Sequence, residues 1–249
     1  MDLFFFFGAA IIGLIIGSFL SMLIPRLHYG EGGIFFGRSQ CGICKTVLKV
    51  TDLIPVLSFV MLRGRCRHCQ KRFSFWYPAI ELTSAALFGL LTFYAGSWSI
   101  WAWQAGLFTV LLFIAFYDLR FKEIHDGVML PGIIFAFIAS CFIGNPIDAL
   151  IGGGIGFAFF GLQWLASRGK WIGSGDMRIG AFMGLMLGWH LTLLAIVISY
   201  IFGSLISLFL MAIGKADRKT ALPLGPFLVV GTMIAFFYGE QLLTWYLTI

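Results

Sequence analysis

Leu191-Thr192-Leu193-Leu194-Ala195-Ile196-Val197-Ile198-Ser199-Tyr200-Ile201-Phe202-Gly203-Ser204-Leu205-Ile206-Ser207-Leu208-Phe209-Leu210-Met211-Ala212-Ile213 contains no charged side chain, over a length that crosses a bilayer as one helix. In hydrocarbon every backbone N–H and C=O must be satisfied within the protein, so such a run is a helix or part of a closed barrel. Barrel strands alternate in polarity over about ten residues, a texture absent here. The same apolar texture recurs along the chain. Of its 249 residues 60% are hydrophobic and only 11% charged, too few to cover a soluble domain of this size. The fold class expected is therefore an all-α polytopic membrane protein of about eight transmembrane helices. The spans read as 3–24, 76–95, 98–117, 128–144, 147–166, 177–188, 190–213 and 226–248, the sixth being short for a full crossing. The 31 glycines suit helices that approach one another closely in lipid.

Alternating sides from the first span gives one set of loops at 25–75, 118–127, 167–176 and 214–225. All seventeen Lys and Arg residues lie in these loops or at their edges, with Arg178 just inside the sixth span. The opposite loops, around Gly96-Ser97, Asn145-Pro146 and Trp189-His190, hold none. By the positive-inside rule the basic loops face the cytoplasm and both termini lie outside. The formal net charge of +6 thus reports topology and a lipid partner, and points to no nucleic acid. Asp2 and the lack of a basic segment before the first span predict an uncleaved anchor. The chain divides into a first helix (1–24), a cytoplasmic loop module (25–75) with nine of the seventeen basic residues, and a helical bundle (76–249). Trp171 and Trp245 are placed as interfacial anchors. Nothing in the sequence fixes an oligomeric state.

A carboxylate at a bilayer boundary is costly without a partner or a task. Asp118 ends the third span, in Phe116-Tyr117-Asp118-Leu119-Arg120, and Asp176 opens the sixth, in Gly173-Ser174-Gly175-Asp176. Topology puts both on the cytoplasmic face. Gly173 and Gly175 free the backbone to bend and to approach a neighbouring chain. Two close carboxylates share a proton, so one can activate water while the other protonates a carbonyl or leaving group. The plainer reading pairs each acid with Arg120 or Arg178. Glu81, inside the second span, either binds a substrate amine or stabilises a helix contact. An ion-coupled transporter using Glu81, Asp118 and Asp176 as a relay is the rival from another class, and a zinc-dependent assembly factor is a second.

Cys41-Gly42-Ile43-Cys44 and Cys66-Arg67-His68-Cys69 flank 21 intervening residues. Two CxxC knuckles at this separation are the pattern of a tetrahedral zinc site with four cysteine ligands, Cys41, Cys44, Cys66 and Cys69. A redox pair, an iron–sulfur centre, or His68 in place of one thiolate are the other readings. A four-thiolate site is closed, so its metal would hold the loop together and not activate water. Cys141, alone within a span, reads as a small buried apolar residue.

Together these pieces resemble the type IV prepilin peptidases, the bifunctional leader peptidase/N-methyltransferases of pilus and type II secretion systems. The resemblance runs from Gly17-Ser18-Phe19-Leu20 and Ile24-Pro25-Arg26-Leu27 through the cysteine block. It continues through Asp52-Leu53-Ile54-Pro55-Val56-Leu57-Ser58, Arg63-Gly64-Arg65-Cys66 and Tyr77-Pro78-Ala79-Ile80-Glu81-Leu82, then Asp118-Leu119-Arg120, the GxGD aspartate Asp176 and Pro223-Leu224-Gly225-Pro226-Phe227. It implies cleavage of a short basic leader after a glycine, before a hydrophobic helix, in prepilins or pseudopilins at the inner membrane. Methylation of the new N-terminal amine by S-adenosylmethionine is implied as the second activity, with a peptidase-only protein as the alternative. Asp118 and Asp176 would be the peptidase dyad, the four cysteines the metal ligands, and the Cys41–Cys69 region the part associated with methylation. No strand–glycine–helix nucleotide unit appears, so a cofactor pocket would be built from loop and spans. Two positions depart from the family pattern. Ile124 is followed by His125 where Pro is usual, and Arg178 stands for Lys. His125 is either a group that tunes a local pH response or, the plainer reading, a solvated loop residue.

Overall fold

Apolar runs with few charges and few helix breakers leave the backbone one solution in lipid, and the computed structural model is accordingly helical. It describes residues 3–30, 39–215, 217, 220 and 222–248. Asp2, Arg38, Arg218 and Lys219, which entered the topology argument, lie outside the described residues. The helices are α1 (Leu3–Tyr29), α2 (Leu57–Met61), α3 (Trp76–Leu91), α4 (Trp98–Phe121), α5 (Asp126–Ile143), α6 (Pro146–Ser167), α7 (Ser174–Leu187), α8 (Trp189–Ala212) and α9 (Gly225–Leu247). A 3-10 turn at Val50–Leu53 precedes α2. Among the described residues the only β pairings are two isolated antiparallel bridges, Gln40 with Val47 and Arg65 with Arg72.

Each of the eight expected spans is a helix. Six are long and apolar enough to cross a membrane: α1, α4, α5, α6, α8 and α9. With 16 and 14 residues, α3 and α7 are shorter than a simple crossing needs. The protein is thus an all-α, multi-pass membrane protein. Its exposed apolar side chains agree: along α8, Leu193, Val197, Ile201, Leu205 and Leu208 all face outward, a surface that only lipid or another apolar body covers. Cys141 on α5 is also exposed, contrary to the buried position expected of it. Its span turns that face to the lipid, where a small apolar thiol is equally acceptable.

The chain forms two compact units, Met1–Thr109 and Val110–Ile249, with the boundary inside α4. In the first unit α1 lies directly on α3. Gly13 and Gly17, one turn apart, sit so close to Ser84 and Glu81 that a Cβ at either would fall within 2.5 and 2.7 Å of that backbone. Small residues permit this approach, and packing rather than water exclusion drives helix association in lipid. Phe5, Phe88 and Trp101 close the far end, where the indole of Trp101 donates to the Phe88 carbonyl at 3.1 Å.

In the second unit α6 and α7 cross at an equally close distance. Gly152 and Gly156 face Gly184 and Gly180, and an added Cβ at any of the four would strike the opposite backbone. Ile179, Phe182 and Met183 of α7 are wholly buried. The shortness of α7 follows from this position: it is an interior helix lined by protein, and its first turn carries Asp176.

Candidate functional site

Asp118 lies one turn before the end of α4, a helix that runs on to Phe121 rather than stopping at the acid. Its side chain is 6% exposed. The Gly225 backbone N–H, first of α9, donates to Asp118 Oδ2 at 2.8 Å. The carboxylate therefore caps a helix N-terminus, where the unpaired amides and the helix dipole favour negative charge. A Cβ on Gly225 would fall 2.6 Å from Oδ2, so only glycine lets the amide come this near. Pro226 supplies the fixed φ suited to a first helical turn.

Asp176 sits in the first turn of α7 and reaches back to its own N-cap, accepting from the Gly173 N–H at 3.0 Å. This is the return half of a capping box. Of the two glycines assigned to shape the loop, Gly175 is pressed on Ile124, where a Cβ would come within 2.5 Å of the side chain. Gly173 has φ −77°, and a Cβ there would make only ordinary contacts, 3.7 Å from Asp176 Oδ2, so neither backbone angle nor crowding demands glycine.

The two carboxylates, 58 positions apart in sequence, are close enough for the charge of Asp118 to act on Asp176. Arg178 does not neutralise Asp176: its guanidinium pairs with Asp126 at the start of α5. Arg120 lies over the ring of Phe121, 5.3 Å from its centroid. The Tyr200 hydroxyl donates to Gln163 Oε1 at 2.9 Å, within reach of the charge of Asp176. His125 is half-buried rather than solvated. It stands at the N-cap of α5 with its ring edge-on to Tyr117 at 5.7 Å, and its Nδ1 is covered without a hydrogen-bond partner.

Within the first unit the four cysteine sulfurs all lie within 4.8 Å of one another. The Cys41–Cys69 and Cys44–Cys66 separations are 3.9 and 4.0 Å. Four sulfurs about 2.3 Å from a central zinc form a tetrahedron with edges of about 3.8 Å, so the donor set fits that ion. His68 is outside the cluster. The two knuckles repeat one design. The Lys45 amide donates to the Cys41 carbonyl and the Gln70 amide to the Cys66 carbonyl, and both Lys45 and Gln70 take positive φ to turn the chain back. The Thr46 hydroxyl and amide hold the Cys44 thiol down to about 6. The Lys71 amide pulls on Cys69, but burial and the neighbouring sulfurs push its thiol up to about 11. Sulfurs this crowded cannot all ionise without a cation between them.

Asp52, between the knuckles, locks the second one. Its Oδ1 accepts from Arg67 Nε and Nη2 at 3.0 and 2.8 Å. Burial of the carboxyl opposes ionisation, but the Arg67 guanidinium and the Lys49 amide outweigh it and hold Asp52 below the ordinary carboxylate range. Glu81 is 7% exposed on α3 and accepts from the Val56 N–H at 2.7 Å. Sequence reasoning singled out Glu81 but not this partner, and it quoted Gly225 without assigning it a role. The Pro-Leu-Gly-Pro bracket around Gly225 was the available signal of a constrained helix start.

Comparison with known proteins bears on both sites. A family model described as the bacterial peptidase A24 N-terminal domain matches residues 11–95, and one for the type IV leader peptidase family matches residues 105–208. A protein of Bacillus subtilis named prepilin leader peptidase/N-methyltransferase is 31% identical over 245 residues, covering 95% of this chain and 96% of its own length. Proteins of the same name from Legionella pneumophila and Aeromonas hydrophila are each 30% identical, covering 98% and 94% of this chain and 95% and 91% of their own. No solved structure matches the chain significantly. The transporter reading gains nothing from these likenesses.

Proposed function

Because this chain belongs to the type IV leader peptidase family, we propose that it cleaves the leader from prepilins or pseudopilins and N-methylates the new N-terminus. The observation that carries the peptidase half is the convergence of Asp118 and Asp176, each held by a helix-start amide and neither consumed by Arg178. In the proposed reaction one ionised aspartate takes a proton from water, whose oxygen attacks the scissile carbonyl. The other aspartate, carrying a proton, donates it to that carbonyl oxygen. As the tetrahedral intermediate collapses this second aspartate takes that proton back, while the first gives the proton it took from water to the departing amine and the C–N bond breaks. No covalent intermediate forms. Gly225 and Gly173 position the two carboxylates through their amides.

The distribution of Lys and Arg supports an inner-membrane protein with these acids at the cytoplasmic face and both termini outside. The substrate's apolar helix would lie among the spans while its leader emerges beside the aspartates. In this proposal Cys41, Cys44, Cys66 and Cys69 hold a structural zinc that cross-links the loop, and the first unit carries methylation, with S-adenosylmethionine as methyl-donating substrate.

The test is the full chain in bilayers, incubated with a prepilin with and without S-adenosylmethionine, and mass spectrometry of the product's N-terminus. Cleavage after the leader glycine in both reactions, with one added methyl only when the donor is present, is the expected result. Cleavage without methyl addition would reduce the protein to a peptidase, and no cleavage would overturn the assignment.

A further inference from the structure

Between the two cysteine pairs the chain makes one turn that its sequence does not favour. The Pro55 carbonyl accepts from the Leu57 N–H, closing a three-residue turn around Val56. Val56 has φ 60° and ψ −49°. This is the rare γ-turn of positive φ, strained for any residue with a Cβ. A branched Cβ makes it worse. The other non-glycine residues of positive φ among those described are Lys45, Arg63, Gln70, Lys122 and Arg168, none of them branched at Cβ. Such strain persists only where the surroundings hold it.

Glu81 is what holds it. Its Oε2 accepts from the Val56 N–H at 2.7 Å, and α1 lies directly against it, with Gly17 packed on the Glu81 backbone. A carboxylate this deeply buried needs such a donor, and an amide turned inward needs such an acceptor. Each group satisfies the other.

We propose that Glu81 is a positioning residue, whose carboxylate holds Val56 in its γ-turn and so ties the stretch between the cysteine pairs to α1 and α3 for methyl transfer. The functional part rests on the first unit carrying methylation. Glu81 then acts as an acceptor and not as a charge. Glu81→Gln keeps an acceptor oxygen, whereas Glu81→Ala has none. Val56→Gly removes the strain, because glycine takes positive φ freely, and the turn no longer needs its clamp.

The experiment uses the full chain in bilayers with a prepilin and S-adenosylmethionine, reading cleavage, methylation and deuterium uptake over residues 54–58. For Glu81→Ala we expect uptake and loss of methylation to change by roughly tenfold, the scale of one lost buried hydrogen bond, with cleavage retained. Glu81→Gln stays near wild type, and Glu81→Ala/Val56→Gly recovers methylation. Wild-type methylation in Glu81→Ala overturns the proposal. So does a Glu81→Gln variant as deficient as Glu81→Ala with no recovery in the double variant, since charge would then be what matters. If wild type cleaves without methylating, the methylation reading fails on its own. The uptake arm then decides the clamp, and unchanged uptake in Glu81→Ala contradicts it. Should Glu81→Ala fail to fold, Glu81→Gln and the double variant carry the same comparisons.

Discussion

Gly225 occupies space that no other residue can share with Asp118. Gly225→Ala is expected to push the first amide of α9 off the carboxylate and slow cleavage roughly a hundredfold in kcat, the scale of a displacement of about 1 Å at a reacting group. Gly175→Ala, driven into Ile124, should be the more damaging change of the GxGD pair, and Gly173→Ala should be nearly silent. Cleavage kinetics of the three variants rank these contacts. A second residue-scale prediction concerns acid. Asp52 is held below the ordinary carboxylate value, so the ion pair with Arg67 contributes fully above about pH 4 and is lost as pH falls through the lower folded value. Zinc retention in wild type should exceed that in Asp52→Asn by a constant margin from pH 8 to 5, the gap closing only in stronger acid. The aspartates were legible at this scale because a charge in an apolar chain stands out. Gly225 and Val56 were not, since their importance lies in an amide direction and a backbone angle that appear only once remote segments meet.

At the scale of elements, the cysteine knuckles and the α6–α7 crossing carry the most testable weight. The purified chain should hold about one zinc, lost when Cys41 and Cys44 both become Ser, as elemental analysis would measure. Full metal content in that variant would remove these cysteines from the ligand set. At the crossing, Gly180→Val forces branched carbons into the Gly156 backbone. Overpacking of this kind costs about 1–3 kcal/mol, and more where the obstacle is main chain, so the variant should lose thermal stability along with activity. Hydropathy located eight of the nine helices, all but the short α2, because lipid-facing helices are apolar all round. It misjudged their ends because helices run on past the apolar stretch: α1 continues through Pro25 to Tyr29, and α4 carries Asp118 a turn inside. The short α7 was the hardest to read, since tertiary burial rather than its own hydropathy defines it.

On the scale of the whole molecule, seventeen basic residues sorted to one set of loops organise the chain before any contact is considered. In the proposed topology that sorting puts both aspartates on one face, and within the second unit the charge of Asp118 reaches Asp176 from a helix far away in sequence. The family assignment accounts for the order of the motifs, and the geometry supplies a reason for their spacing. The central claim is that Asp118 and Asp176 act as one catalytic pair. Cleavage of a prepilin by membranes carrying Asp118→Asn or Asp176→Asn tests it most directly, with the amount of inserted protein checked in parallel. Each single change should abolish processing while the protein remains in the membrane; normal processing by either variant would contradict the account.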